Sequence, residues 1–341
     1  MKGSRTAYRV RPYADTDEAE VLRLLDEVLV VSPAGGPPSR LFRWKHLENP
    51  FGRSHLLVAD AGGRIVGLRA FMRWTFRAGG RAYRAVRAVD TATHPEFQGR
   101  GVFSRLTLAA LEDLRGDADF VFNTPNARSG PGYLKMGWRA VGRLPVQVRV
   151  RRPLRFLRGL PAIGAAAPAG GPRPPVIAAS AAEALEDGAL LAEVLEARGP
   201  DRGGLSTPHS PEYLRWRYAG GAIDYRAVWD PGERGARGLA IFRIRQRGRL
   251  WEAAVSEVLV APGDGGTAAR LLRRVAAAAP TDHLLCLIPR GSFPTGATRR
   301  TGFLPWRHGP VLMVNSLREA LVPDPVDPRS WSLSLGDVEV F

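Results

Sequence analysis

Cysteine is almost absent: Cys286 is the only one in 341 residues. An internal disulfide and a cysteine-based metal cluster are thereby excluded. Lysine is nearly as scarce, with only Lys2, Lys45 and Lys135, so almost all of the 49 basic residues are arginine. No apolar run is long enough for a transmembrane helix. The N-terminal stretch MKGSRTAYRVRPYADTDEAE lacks the apolar segment of a signal peptide, so a cytoplasmic protein is expected. The six histidines, His46, His55, His94, His209, His283 and His308, show no metal-ligand spacing, and no metal is expected.

What is present is a globular composition, 45% hydrophobic and 24% charged, in a chain long enough for two domains. The formal net charge is +16. Such a surface suits nucleic acid, an anionic membrane or a polyanionic ligand. The arginines are scattered through an Ala-, Gly- and Pro-rich chain, which fits a compositional bias equally well. Nucleic acid is therefore not expected as a partner on charge alone.

Periodicity divides the first half into elements. Residues 15–31 carry Val21, Leu24, Leu25, Val28 and Leu29 on one helical face, and Asp15 with Glu18 has the spacing of a capping box. Strands are expected at 55–60, 64–76, 81–93 and 118–123, a helix at 102–115, a short helix at 132–138 closed by Gly137, and extended chain over 139–150. The stretch 159–176, GLPAIGAAAPAGGPRPPV, cannot build a core and reads as a linker or surface loop.

The second half echoes the first. RWKH at 43–46 has a counterpart in RWRY at 215–218, and GLRAF at 67–71 in GLAIF at 238–242. AVDTATHP at 88–95 lies over VSEVLVAP at 255–262, which sets Asp90 opposite Glu257, and MGWRAVGRLPVQVRV at 136–150 lies over TGFLPWRHGPVLMV at 301–314. The matches keep their order at near-equal spacing, as a duplication would leave them. Trp44 and Trp216 read as packing aromatics or as walls of a cleft between the copies. The tail RSWSLSLGDVEVF, 329–341, reads as a last strand or a surface-docked arm.

The stretch HPEFQGRGVFSRL, from His94 to Leu106, joins an apolar strand pattern to an apolar helix pattern. N–H groups at a helix N-terminus lack internal partners and favour an anion, and glycine lets a phosphate approach the backbone. Gly99 and Gly101 serve that purpose, and Arg100 and Arg105 supply charge. An ordinary strand-to-helix turn would use the same glycines. The second copy has PGDGGTA here, so only the first would hold such a site.

This stretch resembles motif A of the Gcn5-related N-acetyltransferases, the GNAT superfamily. Gln98, Gly99, Arg100, Gly101 and Val102 fit, and Phe103 departs from the small residue usual there, followed by Ser104. Asn126, Ser129, Tyr133, Gly137 and Trp138 fit the later signature of the same family. The resemblance implies that 98–104 cradles the pyrophosphate of acetyl-CoA, that Ala92 and Thr93 pair with its pantetheine amides, and that Asn126 and Ser129 line its channel. It implies Tyr133 as general acid for the leaving thiolate and Asp90, or less directly Glu257, as base for the amine. His94 would be structural. A phenol at hydrogen-bond range of a thiolate is a sensible proton donor.

The tandem arrangement is similar to the two-domain acetyltransferases of the enhanced-intracellular-survival group. Their terminal carboxylate acts as base, but residues 315–341 are too few for their further domain, so that role is not carried over to Phe341. The expected fold is α/β (α+β): two tandem GNAT-like domains, each a mixed, mostly antiparallel twisted sheet flanked by helices. The division expected is 1–152, a linker at 153–176, and a degenerate copy at 177–341. The expected activity is acyl transfer from acetyl-CoA to a small-molecule or peptide amine. An aminoacyl-tRNA-dependent transferase and a catalytically silent CoA-binding module are the alternatives.

Overall fold

The computed structural model describes residues 7–28, 38–163, 173–200, 204–221, 223–232 and 235–338. Among them the chain forms two seven-stranded mixed sheets. The first half supplies β1 (Arg9–Pro12), α1 (Glu18–Val28), α2 (Pro38–His46), β2 (His55–Ala61), β3 (Arg64–Ala78), β4 (Arg81–Thr93), α3 (Val102–Asp113), β5 (Phe120–Asn123), α4 (Gly130–Lys135), β6 (Arg139–Arg143) and β7 (Gln147–Val150). After α5 (Pro153–Gly159) come β8 (Ala179–Ser180), α6 (Ala181–Glu186), α7 (Gly188–Arg198), α8 (Pro211–Leu214), β9 (Tyr225–Pro231), β10 (Ala236–Arg247), β11 (Leu250–Val260), α9 (Gly265–Ala278), β12 (His283–Cys286), α10 (Gly296–Arg300), β13 (Leu304–Pro305), β14 (Val311–Ser316) and α11 (Leu335–Val338).

The expected strands and helices form nearly where periodicity places them. Two details differ. The cap of the first helical segment is made by Asp17, whose carboxylate accepts from the N–H of Ala14 at 2.8 Å, and not by an Asp15–Glu18 pair. Leu29, expected on the buried face, lies outside the described residues; Val21 and Leu24 are buried as expected.

The sheets run β1-β2-β3-β4-β5-β14-β6 and β13-β7-β12-β11-β10-β9-β8. β14 of the second half lies between β5 and β6, and β7 of the first lies between β12 and β13. The two exchanged strands are the counterparts in the internal echo, so each copy completes the sheet of the other. Both lie across the division expected at 1–152 and 177–341. The segment 153–176 is not slack throughout either. α5 buries Phe156 against Val148 and Leu250, while residues 164–172 lie outside the described chain.

The echoed glycines, Gly67 and Gly238, let helices approach the sheet closely. A Cβ on Gly67 would stand 2.6 Å from Cγ1 of Val102 in α3, and one on Gly238 3.0 Å from Cδ1 of Leu271 in α9. The copies meet at their echoed tryptophans. Trp44 and Trp216 stack with centroids 5.2 Å apart, Trp44 Nε1 donates to the Trp216 carbonyl at 2.6 Å, and Trp216 Nε1 donates to the Trp44 carbonyl at 2.9 Å. This reciprocal contact is what a pseudo-twofold axis requires.

Because each indole satisfies the other's backbone, removing either breaks one shared unit. Trp44→Ala and Trp216→Ala should each destabilise by about 3–5 kcal/mol in urea titrations. The double variant should lose well under the sum; full additivity would show that the two rings act independently.

Candidate active site

β4 and β5 are parallel neighbours for three pairs only, Ala85–Arg87 against Phe120–Phe122. β4 then continues along β3 to Thr93, while β5 ends at Asn123 against β14. The wedge between them opens into a cavity of about 650 Å³. Ala88, Val89, Asp90, Thr91 and Thr93 line one side, Asn123 to Asn126 the other, and Gln98, Phe103, Ser129 and Tyr133 close it. A cavity of about 800 Å³ beside residues 315–321 holds none of the expected site residues.

The glycine turn stands at one end of this wedge. Gly99 has φ +72° and Gly101 φ +76°, in the left-handed region where side chains are strained. A Cβ built on either meets nothing within 4 Å, so the space beside them is open. Gly101 is the N-cap of the 12-residue α3, and no side chain caps that helix. Its first N–H groups are left for an anion. Gln98 Nε2 donates to the Thr93 carbonyl at 3.3 Å, tying the turn to the strand end. Val102 and Ala92 bury their side chains, so only their backbone is available to a ligand. Arg100 lies over the Phe97 ring at 5.0 Å and Arg105 over Tyr8 at 4.8 Å; both, like Ser104, are exposed.

Phe103 turns its ring along the cavity wall. It meets Tyr133 edge-on, 5.6 Å between centroids, and packs where any Cβ on Gly132 would stand 3.3 Å from it. Asn126 Oδ1 accepts from the N–H groups of Arg128 and Ser129, both at 3.0 Å, and from Ser129 Oγ at 3.1 Å. That turn launches α4, which carries Tyr133. Tyr133 is buried and leans on Trp138 at 5.0 Å. Its hydroxyl oxygen accepts from Arg69 Nη2 at 2.9 Å. A guanidinium has donors only, so the phenol's own hydrogen must turn elsewhere.

Asp90 is reached differently from expectation. It is the extra residue of a bulge in β4, between the pairs Arg69–Thr91 and Ala70–Val89, and its φ is +25°. Lys45 Nζ and His46 Nε2, the latter at 2.8 Å, both bond its Oδ2. His46 Nδ1 pairs with Ser54 Oγ at 2.9 Å. Burial would raise the Asp90 carboxyl, but Lys45 and His46 outweigh it and hold it far below the usual carboxylate range. Burial also pushes the His46 imidazole down. The carboxylate expected as base is thus already engaged by two basic side chains, which tie the strained bulge to α2.

Glu257 stands at the corresponding place, beside a bulge between Ile241 and Phe242. It accepts from Tyr218 Oη at 2.6 Å and Ser334 Oγ at 2.8 Å, with His209 Nε2 at 3.2 Å. Arg217 Nη2 donates to the Gly336 carbonyl at 3.1 Å. A Cβ on Gly336 would collide with Tyr218 Oη. The described part of the tail, 329–338, is therefore neither a last strand nor a surface arm. It is a buried plug in the second copy that includes α11, while 339–341 lie outside the described residues. Arg87, which lines the cavity of the first copy, donates to the carbonyls of Asp337 and Val338 at 3.0 and 2.8 Å.

Sequence reasoning missed Lys45, His46 and Arg69. The signals were there: two basic residues beside an echoed tryptophan, and one arginine inside the apolar run IVGLRAFM. His94 is buried and accepts from the Glu96 N–H at 3.2 Å, in keeping with a structural role. Among the described residues no group of three metal-binding side chains gathers, and no helix is long and apolar enough to cross a membrane.

Residues 9–141 match the family model of the acetyltransferase (GNAT) domain. No curated protein matches the chain. Solved structures do, at identities that speak for the fold. A Gcn5-related N-acetyltransferase from Anabaena variabilis is 13% identical with a TM-score of 0.60, over 91% of this chain and 73% of that one. A probable N-acyltransferase from Enterococcus faecalis is 13% identical with a TM-score of 0.61, over 92% and 73%. Eis1 from Mycobacterium abscessus is 15% identical with a TM-score of 0.53, over 91% and 74%. The resemblance to the GNAT superfamily is borne out, and the fold is that of two tandem GNAT-like domains.

Asp90→Asn removes the charge that Lys45 faces. Urea unfolding should show a loss of about 3–5 kcal/mol at neutral pH. A carboxyl depressed in the folded state stabilises above its unfolded pKa and loses that contribution as acid protonates it. The deficit should therefore shrink as pH falls below about 4. A deficit unchanged in acid would contradict the ion pair.

Proposed function

We propose that this chain is an acyl-CoA-dependent N-acyltransferase, with acetyl-CoA as donor and a primary amine of a small molecule or peptide as acceptor. The observation that carries this is the wedge between β4 and β5, with an uncapped glycine turn at one end and a buried tyrosine hydroxyl in its wall. The site residues fit the donor: the space beside Gly99 and Gly101 is open, and the β4 edge past Arg87 is not paired with β5.

In this reading the N–H groups at 99–104 receive the pyrophosphate, helped by the dipole of α3. The free edge of β4 at Ala92 and Thr93 pairs with the pantetheine amides through its backbone. Asn126 and Ser129 hold the turn that shapes the channel. Backbone N–H groups along the splayed strand polarise the thioester carbonyl. The amine attacks directly, and Tyr133 delivers its proton to the departing sulfur. Asp90 and Glu257 are both locked in buried networks, so deprotonation of the amine falls to water or to an acceptor that binds neutral.

Release of CoA thiol, followed across a panel of primary amines, tests the reading. Tyr133→Phe should lower kcat by about 10²–10⁴-fold, while the affinity for acetyl-CoA stays that of the wild type. A phenylalanine variant as fast as the wild type would remove Tyr133 from the chemistry.

A further inference from the structure

We propose that Arg69 is a positioning residue for the transfer: its guanidinium is the fixed countercharge for the phenolate that Tyr133 becomes on protonating the departing thiolate. The proposal rests on the reading of Tyr133 as general acid.

Arg69 is fully buried in the middle of β3. Among the described residues no carboxylate lies within ion-pair distance of it. Nη2 donates to Tyr133 Oη at 2.9 Å, Nη1 donates to Thr91 Oγ1 and, at 3.4 Å, to the Val89 carbonyl, and Nε has no partner. The rings of Phe71, Phe103 and Tyr133 surround the cation, with centroids 4.5, 5.6 and 5.4 Å from Cζ. Burial works against its charge, and Tyr133 and Asp90 support it. A cation buried without a carboxylate is a burden on folding, so stability does not account for it.

The molecule contains its own control. Aligning GLRAF with GLAIF sets Ala240 at the place of Arg69, and aligning MGW with TGF sets Thr298 at the place of Tyr133. Ala240 is as fully buried as Arg69, and β10 and β11 keep the same pairing and a bulge. The fold is thus built without an arginine there. Arginine and tyrosine occur together in the copy that carries the glycine turn and are missing together from the copy that does not.

The step balances as follows. The amine nitrogen forms its bond to the thioester carbon, and the C–S bond breaks with its electron pair on sulfur. Tyr133 gives its O–H proton to that sulfur. The oxygen left behind keeps the N–H of Arg69, and the charge-assisted bond becomes an ion pair between guanidinium and phenolate. The amine's surplus proton goes to solvent, and solvent returns one to Tyr133.

The test measures CoA thiol release from acetyl-CoA with phenethylamine as acceptor, for wild type, Arg69→Met, Tyr133→Phe and the double variant. Arg69→Met should lower kcat about 10–100-fold, leave the KM for acetyl-CoA unchanged, and melt no lower than the wild type. The double variant should be no slower than Tyr133→Phe. With the acetyl thioester of 4-nitrothiophenol, whose thiolate leaves without a proton, the deficits of both single variants should nearly vanish. Arg69→Lys, which keeps a charge at the site, should fall between wild type and Arg69→Met. A double variant slower by the full product, or an equal deficit on the aryl thioester, would make Arg69 merely structural. Tyr133→Phe slow with Arg69→Met normal would overturn the role of Arg69 alone. Tyr133→Phe at full rate would overturn the reading beneath it.

Discussion

The three-pair ladder between Ala85–Arg87 and Phe120–Phe122 is the constraint on which the candidate site depends. Two parallel strands that stop pairing would ordinarily close up or be filled. Here each is held on its far side, β4 by β3 as far as Thr93 and β5 by the exchanged strand β14. The gap cannot collapse without breaking one of those ladders. The bulge at Asp90 falls within the free stretch, and Lys45 and His46 of α2 hold its strained backbone by the side chain. The wedge is therefore anchored from three directions, and the glycine turn opens at its end.

Duplication explains much of the rest. The echoed segments RWKH and RWRY meet face to face, each indole capping the other's carbonyl. Behind them stand two buried networks at corresponding places, His46 with Asp90 and Tyr218 with Glu257. They have diverged in use. In the second copy the chain's own residues 334–337 fill the place, satisfying Glu257 and Arg217. In the first copy the same place borders the cavity. One copy thus keeps an open pocket with an ionisable wall, and the other contributes a sheet, an exchanged strand and a seat for the tail.

The sequence showed the strands of the first sheet, α3, the glycine turn and the Asn126–Trp138 signature, because each is a local pattern whose spacing survives folding. It also showed the duplication. It could not show the strand exchange: RAVGRLPVQVRV reads as extended chain whichever sheet it joins. α5 was hidden by the Ala-, Gly- and Pro-rich segment that follows it, although Phe156 gives it a buried face. The partners of Asp90 were illegible because they come from a helix 44 residues earlier in the chain, at the other side of the bulge. The acid itself was visible, but a carboxylate's use depends on what faces it. Arg69 was passed over for the same reason: an arginine in a strand is ordinary until its burial and its one phenolic partner are seen.

Hydrogen–deuterium exchange with and without acetyl-CoA tests most directly that one copy alone holds the donor. The account predicts slowed exchange at 88–93 and 99–104, where the free strand edge and the uncapped helix start receive the ligand, and no change at 255–268 in the second copy. Protection at 255–268, or none at 99–104, would contradict it.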